Sequence, residues 1–433
     1  MSSSLPEKNG PWYSEGRYWV SPHNFAPEVR SQFTFSPHFR IVDSTIRKIL
    51  MSPSERITVT EALHLAEKLR EAGVRTIFLN LLWHGSKEPE ALGYDIIKAI
   101  YERFDFDISL HIDGLHQPGW ERKIDTGLAL GARDIGVLLP TSPAHHGAPT
   151  EASKRKVLEQ LEAVTGYIRK TGAEASTTSH DTARTDFSWL TTYLRRAIEL
   201  GHVRLDIADS SGTLSPEGAK YFLRKLRAEL HTEIPFSFHI HQDLGLADAG
   251  SLAAATVGAW PDVSVNGVSY RAGFASLQNV AAALEILYGV NTGIDLTKLA
   301  ELSKLVASHT YPVQPHQAFT GEHAFVKESS AGVAAAINAG DHYFPPVDCA
   351  LAPEVFGAKT HIVWGRQTLA GTALLAKLKS LGLEATPEDV ERLRAVLIQK
   401  RSERRDYPRW LEDDEVTAIA RELLAPRIAA TVG

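Results

Sequence analysis

Two imidazoles and a carboxylate stand at alternate positions in HIHQDLGLADAG, the stretch from His239 to Gly250. If this segment starts as a strand, His239, His241 and Asp243 share one face and Ile240 and Gln242 the other, because strand side chains alternate. Such a triplet suits a divalent cation or proton transfer. A hydrogen-bonded histidine pair closing a strand is the other reading of the same residues.

Similar clusters recur along the chain. Asp43, Thr45 and Arg47 follow an apolar start, spaced as one strand face, with Lys48 immediately beyond. TIFLNLLWH carries Asn80 and His84, DISLHID carries His111 and Asp113, and TTSHD carries Thr178, His180 and Asp181 with Arg184 close behind. Asp209 and Ser210 end another apolar run, and Tyr270 and Arg271 follow VSVNGV. Ionisable groups gathered at several strand ends predict a mouth where charge is stabilised and protons move. The catalytic candidates are Asp43, Arg47, Lys48, His180 and Asp209. The substrate-binding candidates are Asn80, His84, Thr178, Arg184 and Arg271.

The elements that must position these residues alternate regularly from Arg40. Strands are predicted at 40–46, 76–82, 107–113, 134–140, 173–181, 202–212, 236–243 and 263–268, each followed by a helical pattern, the last ending near Gly289. Eight strand–helix units in about 250 residues favour an α/β fold, a closed (β/α)₈ TIM barrel, because right-handed crossovers join parallel strands. A doubly wound open sheet would usually carry a glycine-rich phosphate loop after its first strand, and DSTIRKILMSP is not one. In a barrel the active site gathers at the C-terminal ends of the strands.

Three regions are predicted: an N-terminal arm over 1–39, the barrel over 40–292, and a linker with helical subdomains over 293–433. The arm holds Trp12, Tyr13, Tyr18, Trp19, Phe25, Phe33 and Phe35, too much aromatic surface to stay in water, so it packs on its own domain or on a second subunit. Pro312, Pro315, Pro345, Pro346 and Pro353 break the last region before helices return at 366–383, 387–405 and 413–425.

Composition narrows the function classes. A net charge of −6 with no basic run argues against nucleic acid. The single cysteine, Cys349, excludes a disulfide framework and a cysteine-rich metal site. No apolar run is long enough for a bilayer and no signal-peptide pattern opens the chain, so a cytoplasmic protein without a membrane partner is expected.

VDSTIR, HIHQDLGLADAGSLAAATVGA and VNGVSYRAGFASLQNV resemble three signature stretches of the DRE-TIM metallolyase superfamily. That superfamily includes 2-isopropylmalate, homocitrate and citramalate synthases and 3-hydroxy-3-methylglutaryl-CoA lyase. VQPHQAFTGEHAFVKES resembles the linker after the barrel, and HIVWGRQTLAGTALLAKLKSLGL the helical subdomain, so the likeness covers most of 40–405 and points to the synthase branch. It implies a divalent metal (Zn, Mn or Mg) held by His239, His241 and an acidic residue, which chelates a 2-oxo acid. It further implies that Arg47 stabilises an enolate or alkoxide and that acetyl-CoA is the co-substrate. A homodimer with its C-terminal helices over the neighbour's barrel belongs to the same expectation.

Five positions depart from that pattern. The acidic ligand expected directly after Arg47 is Lys48, and a protonated amine can neither ligate a metal nor attract one. Phe274 stands for an asparagine, Phe78 for a strand-two glutamate and His180 for a strand-five glutamate. HESGIH reads KESSAG from Lys327 to Gly332, without the histidine that serves the acetyl-CoA step. Three readings follow. A metal is kept, with Asp43, His180 or His84 as substitute ligand; Lys48 replaces it in aldolase-like chemistry; or a retired paralogue binds a ligand or partner. The expected activity is carbon–carbon bond formation or cleavage on a small 2-oxo or 2-hydroxy carboxylate.

Overall fold

A computed structural model describes residues 10–52, 57–84, 88–340 and 349–424. Pro345 and Pro346 lie outside them. The chain divides into two compact units, one spanning His23–Val313 and the other joining the N-terminal residues through Pro22 to those from Gln314 onward. These boundaries differ from 39/40 and 292/293, because the aromatic arm is shared out. Phe33 and Phe35 pack on Tyr288, and Thr34 N–H donates to Thr256 O, within the larger unit. Tyr13–Ser14 and Tyr18–Trp19 pair antiparallel in the smaller one, where Trp19 N–H donates to Ala350 O.

The larger unit is a TIM barrel. Its strands are β1 (Val42–Asp43), β2 (Thr76–Leu81), β3 (Asp107–Ile112), β4 (Asp134–Leu138), β5 (Glu174–Ser179), β6 (Leu205–Asp209), β7 (Phe236–Ile240) and β8 (Ala259–Val263). They run parallel in sequence order, and the sheet closes where β8 pairs β1 with Asp262 opposite Val42. Intervening helices carry their own start signals. Thr58 and Glu61 form a reciprocal capping box before Val59–Glu71, which buries Ala62, Leu65, Ala66 and Leu69 at helical spacing. Ser215 caps Pro216–Leu230, whose proline sits where no N–H is needed.

Strand alternation sorts the chemistry. Ile77, Leu79, Ile108, Leu110, Leu205, Ile207, Phe236, Phe238 and Ile240 are buried residues of the apolar set, while Asn80, Ser109, His111, Asp206 and Ser237 are polar and buried in alternation with them; the fifth strand buries polar Ser176, Thr177, Thr178 and Ser179 in succession. Arg204 anchors the polar set. It bonds Asp206 Oδ1 at 2.6 Å, Asp134 Oδ2 at 2.9 Å and Ser109 Oγ at 2.8 Å, and lies over the Phe78 ring at 4.7 Å. Gly136 is needed here, since a Cβ would come within 2.5 Å of the His111 ring.

Two strands differ from the expected pattern. The first ends at Asp43, whose carboxylate accepts both the N–H and the hydroxyl of Thr45 and turns the chain into helix α1 (Thr45–Met51). Asp43, Thr45 and Arg47 therefore do not share a strand face. The eighth is Ala259–Val263 rather than 263–268, because Asn266 and Gly267 take positive φ in a 3₁₀ turn.

In the smaller unit, Val326–Lys327, His361–Trp364 and Leu411–Glu412 form a three-stranded sheet. Helices Ser330–Ala339, Ala373–Ser380, Pro387–Glu403 and Asp413–Leu424 bury Val333, Leu374, Leu393 and Val416 around Trp364. The helix expected over 366–383 breaks into Arg366–Ala370 and Ala373–Ser380, where Gly371 packs against Ser330. No helix among the described residues is long and apolar enough to cross a membrane.

Candidate active site

The C-terminal end of the barrel holds a cavity of about 130 Å³. Of the sequence candidates, Arg47, Lys48, Asn80, Thr178, His180, His239 and Arg271 line it, joined by Phe78, His111, Asp113, Asp206, Asp262 and Tyr270. Asp206 closes its floor, already engaged by Arg204, by Ser237 Oγ at 2.6 Å and by Thr178 Oγ1 at 3.2 Å.

Helix α1 brings two basic side chains to this cavity from one turn. Arg47 is 7% exposed, and its Nε has no hydrogen-bond partner among the described residues. Lys48 is 1% exposed, with Nζ 4.7 Å from the Phe274 ring centre and 5.1 Å from that of Tyr270. Burial first, then the Arg47 charge, holds Lys48 well below the usual lysine range, against the pull of Asp262.

His239 lies between Lys48 and Asp262. Its Nδ1 is 2.6 Å from Asp262 Oδ2, and its Nε2 is 3.4 Å from Lys48 Nζ. Asp262 Oδ1 also accepts from Ser44 Oγ at 2.6 Å. A carboxylate on Nδ1 places the imidazole proton there and leaves the Nε2 lone pair facing the amine. Burial, then Lys48 and Arg47, holds His239 well below its ordinary pKa, so the ring is neutral. His241 donates from Nδ1 to Gly273 O at 3.1 Å, stacks on Tyr270 and keeps a buried Nε2 with no partner among the described residues. Burial first, then its neighbours His239 and Lys48, push it down to about 2.

Other candidates are committed elsewhere. Asp43 is buried with both oxygens on Thr45, and burial raises it to about 7. Asp209 caps the following loop, accepting from Thr213 N–H at 2.9 Å and Leu214 N–H at 2.8 Å. Arg184 is half-exposed and pairs with Asp181 at 2.9 Å. His84 is exposed in a short hairpin with Glu88–Pro89. β7 ends at Ile240, so of the expected triplet only His239 lies on the strand: His241 forms an isolated bridge to Phe274, and Asp243, farther on, pairs with Arg271 at 2.7 Å.

Asp262 escaped the sequence reading. Pro261 within AWPDV lacks the N–H that a central strand normally uses, which disguised the strand and its carboxylate. The usable signal was an acidic residue just ahead of the VNG turn.

The HMGL-like family model matches residues 38–306, the whole barrel. The chain belongs to the HMGL-like family. Among curated relatives, the homocitrate synthase of Methanopyrus kandleri is 31% identical over 81% of this chain and 85% of its own length. The 2-isopropylmalate synthase of Methanocaldococcus jannaschii is 32% identical over 79% of this chain, which spans 64% of that protein. In structure, the hydroxymethylglutaryl-CoA lyase of Pseudomonas aeruginosa aligns with a TM-score of 0.54 at 17% identity, covering 63% of this chain and 93% of that one. Synthases and a lyase thus share this HMGL-like barrel.

The residues present do not fit the divalent metal implied by the resemblance. His239 gives one nitrogen to Asp262 and presents the other to Lys48, and Asp43 spends both oxygens on Thr45. Among the described residues no group of three or more His, Cys, Asp or Glu is disposed to hold an ion. Lys48, which carries no carboxylate, stands where the resemblance places an anionic ligand.

Proposed function

We propose that this chain is a cytoplasmic, homodimeric enzyme that makes or breaks a carbon–carbon bond of a small 2-oxo or 2-hydroxy carboxylate. Arg47 carries the reading. A buried guanidinium whose Nε has no hydrogen-bond partner among the described residues lines the cavity and calls for an accepting oxygen, since a buried donor left unmet costs about 1–3 kcal/mol. The substrate carboxylate, or the enolate or alkoxide oxygen that develops from it, supplies that oxygen. Asn80, Thr178 and His180 line the same cavity and orient the rest of the molecule. Arg271, tied to Asp243, rims it. Family membership supports the carbon–carbon chemistry. KESSAG, lacking both histidines of the related segment, favours a reaction without acetyl-CoA.

The test is a panel of 2-oxo acids with and without acetyl-CoA, followed by thiol release, alongside 4-hydroxy-2-oxo acids followed for cleavage by NMR. Arg47→Ala should lower kcat/KM by about 10²–10³-fold. Absence of turnover with every member, together with no thermal shift on adding them, refutes the reading. A monomeric mass by light scattering refutes the dimer.

A further inference from the structure

We propose that Lys48 is a covalent catalyst: its amine forms an imine with the carbonyl carbon of a 2-oxo acid, while His239, held by Asp262, moves the proton. The inference rests on the reading of the cavity as a 2-oxo carboxylate site and names how that site activates its substrate.

The geometry has three parts. Lys48 Nζ reaches the cavity at the end of a fully buried stem, walled by the rings of Phe274 and Tyr270. His239 Nε2 is 3.4 Å from that nitrogen, within reach of a proton once the amine becomes tetravalent in the adduct. Asp262 fixes the ring from its far side at 2.6 Å and is itself fixed by Ser44. Nucleophile, base and orienting acid are thus in line, the arrangement that activates nucleophiles generally. Arg47, next in the chain, is placed to take the substrate carboxylate adjacent to the carbonyl.

The step balances as follows. The nitrogen lone pair attacks C2, a C–N bond forms, and the carbonyl π pair moves to oxygen. His239 Nε2 takes a proton from nitrogen and returns it to that oxygen. With one further proton from solvent the oxygen leaves as water, and the nitrogen lone pair completes the C=N bond. In a 4-hydroxy-2-oxo acid the resulting iminium takes up the C3–C4 electron pair as an enamine while the 4-hydroxyl loses its proton and C4 leaves as a carbonyl compound; in the reverse direction the enamine formed by proton loss from C3 attacks that carbonyl carbon and returns the pair to a new C3–C4 bond.

Borohydride reduction of the full chain in the presence of pyruvate, followed by peptide mass mapping, tests this without any variant. The expected result is one reduced pyruvate adduct, on Lys48. An adduct on Lys123 or another lysine, or none at saturating pyruvate, overturns the proposal. His239→Gln should slow trapping by about 10²-fold. Asp262→Asn should lower the saturating rate without moving the pyruvate concentration that gives half of it; an unchanged rate in both variants overturns the relay. Carbon–carbon turnover retained in Lys48→Arg, with no adduct, sinks the imine and leaves the reading of the site standing. An adduct on Lys48 with no turnover of any substrate upholds the imine and sinks that reading.

Discussion

Replacing Lys48 with methionine should change how the stability of this protein depends on pH. The side chain is fully buried, and burial, then Arg47, hold its amine well below 10.5 in the fold. Unfolding returns it to about the ordinary lysine value. Between the folded value and 10.5 the unfolded chain therefore binds one more proton at this site than the native one. Native stability must then rise with pH across that window, and a single proton is worth about 1.4 kcal/mol per pH unit. Methionine has similar length and no charge to desolvate, so the variant loses this slope. The wild type should be the less stable protein near neutrality, and the gap should close by up to about 1.4 kcal/mol per unit as the pH rises. Urea unfolding of both proteins from about pH 7.5 to about pH 9.5 measures it, since titrations remote from Lys48 cancel in the difference. Parallel curves with a constant gap would show that Lys48 keeps its charge in the fold, and would refute the account of a neutral amine.

Arg204→Leu leaves the Asp206 and Asp134 carboxylates buried without their cation, and should cost about 3–5 kcal/mol in urea unfolding. A loss below about 1 kcal/mol would mean that the network is solvated. Asp209→Ala removes a loop cap rather than a reacting group, so stability should fall by about 1–3 kcal/mol while substrate turnover stays near wild type. A collapse of turnover with stability intact would return Asp209 to the reacting set. Dialysis against EDTA should leave turnover unchanged, because His239 spends one nitrogen on Asp262 and turns the other to Lys48, which stands in place of the acidic ligand; activity lost on chelation and restored by zinc, manganese or magnesium contradicts this.

Much of the barrel was legible from residues 40–289, because each strand must bury apolar side chains on one face and each helix must cover them. Those are local, periodic demands, and they appear in any one stretch of chain. The polar residues that make the mouth were legible as types for the same reason: Asn80, His111 and His239 alternate with the apolar set. Strand one was overread, since the Asp43 carboxylate captures Thr45 and starts a helix, a contest between side-chain and ladder hydrogen bonds that composition does not settle. Strand eight was misplaced because Pro261 masks it.

Partnership was decided only in three dimensions. Asp206 and Asp209 sit three residues apart on β6, yet one closes the cavity floor and the other caps a loop. Lys48 reads in the sequence as a cation spoiling a metal site. The fold buries it, sets His239 beside it from 191 positions away, and backs that histidine with Asp262. The sequence by itself determined which groups the barrel would carry and that an acidic ligand had become a lysine. What that lysine can do depends on solvent exclusion and on charges a few ångströms distant, and both are properties of chain closure rather than of any segment.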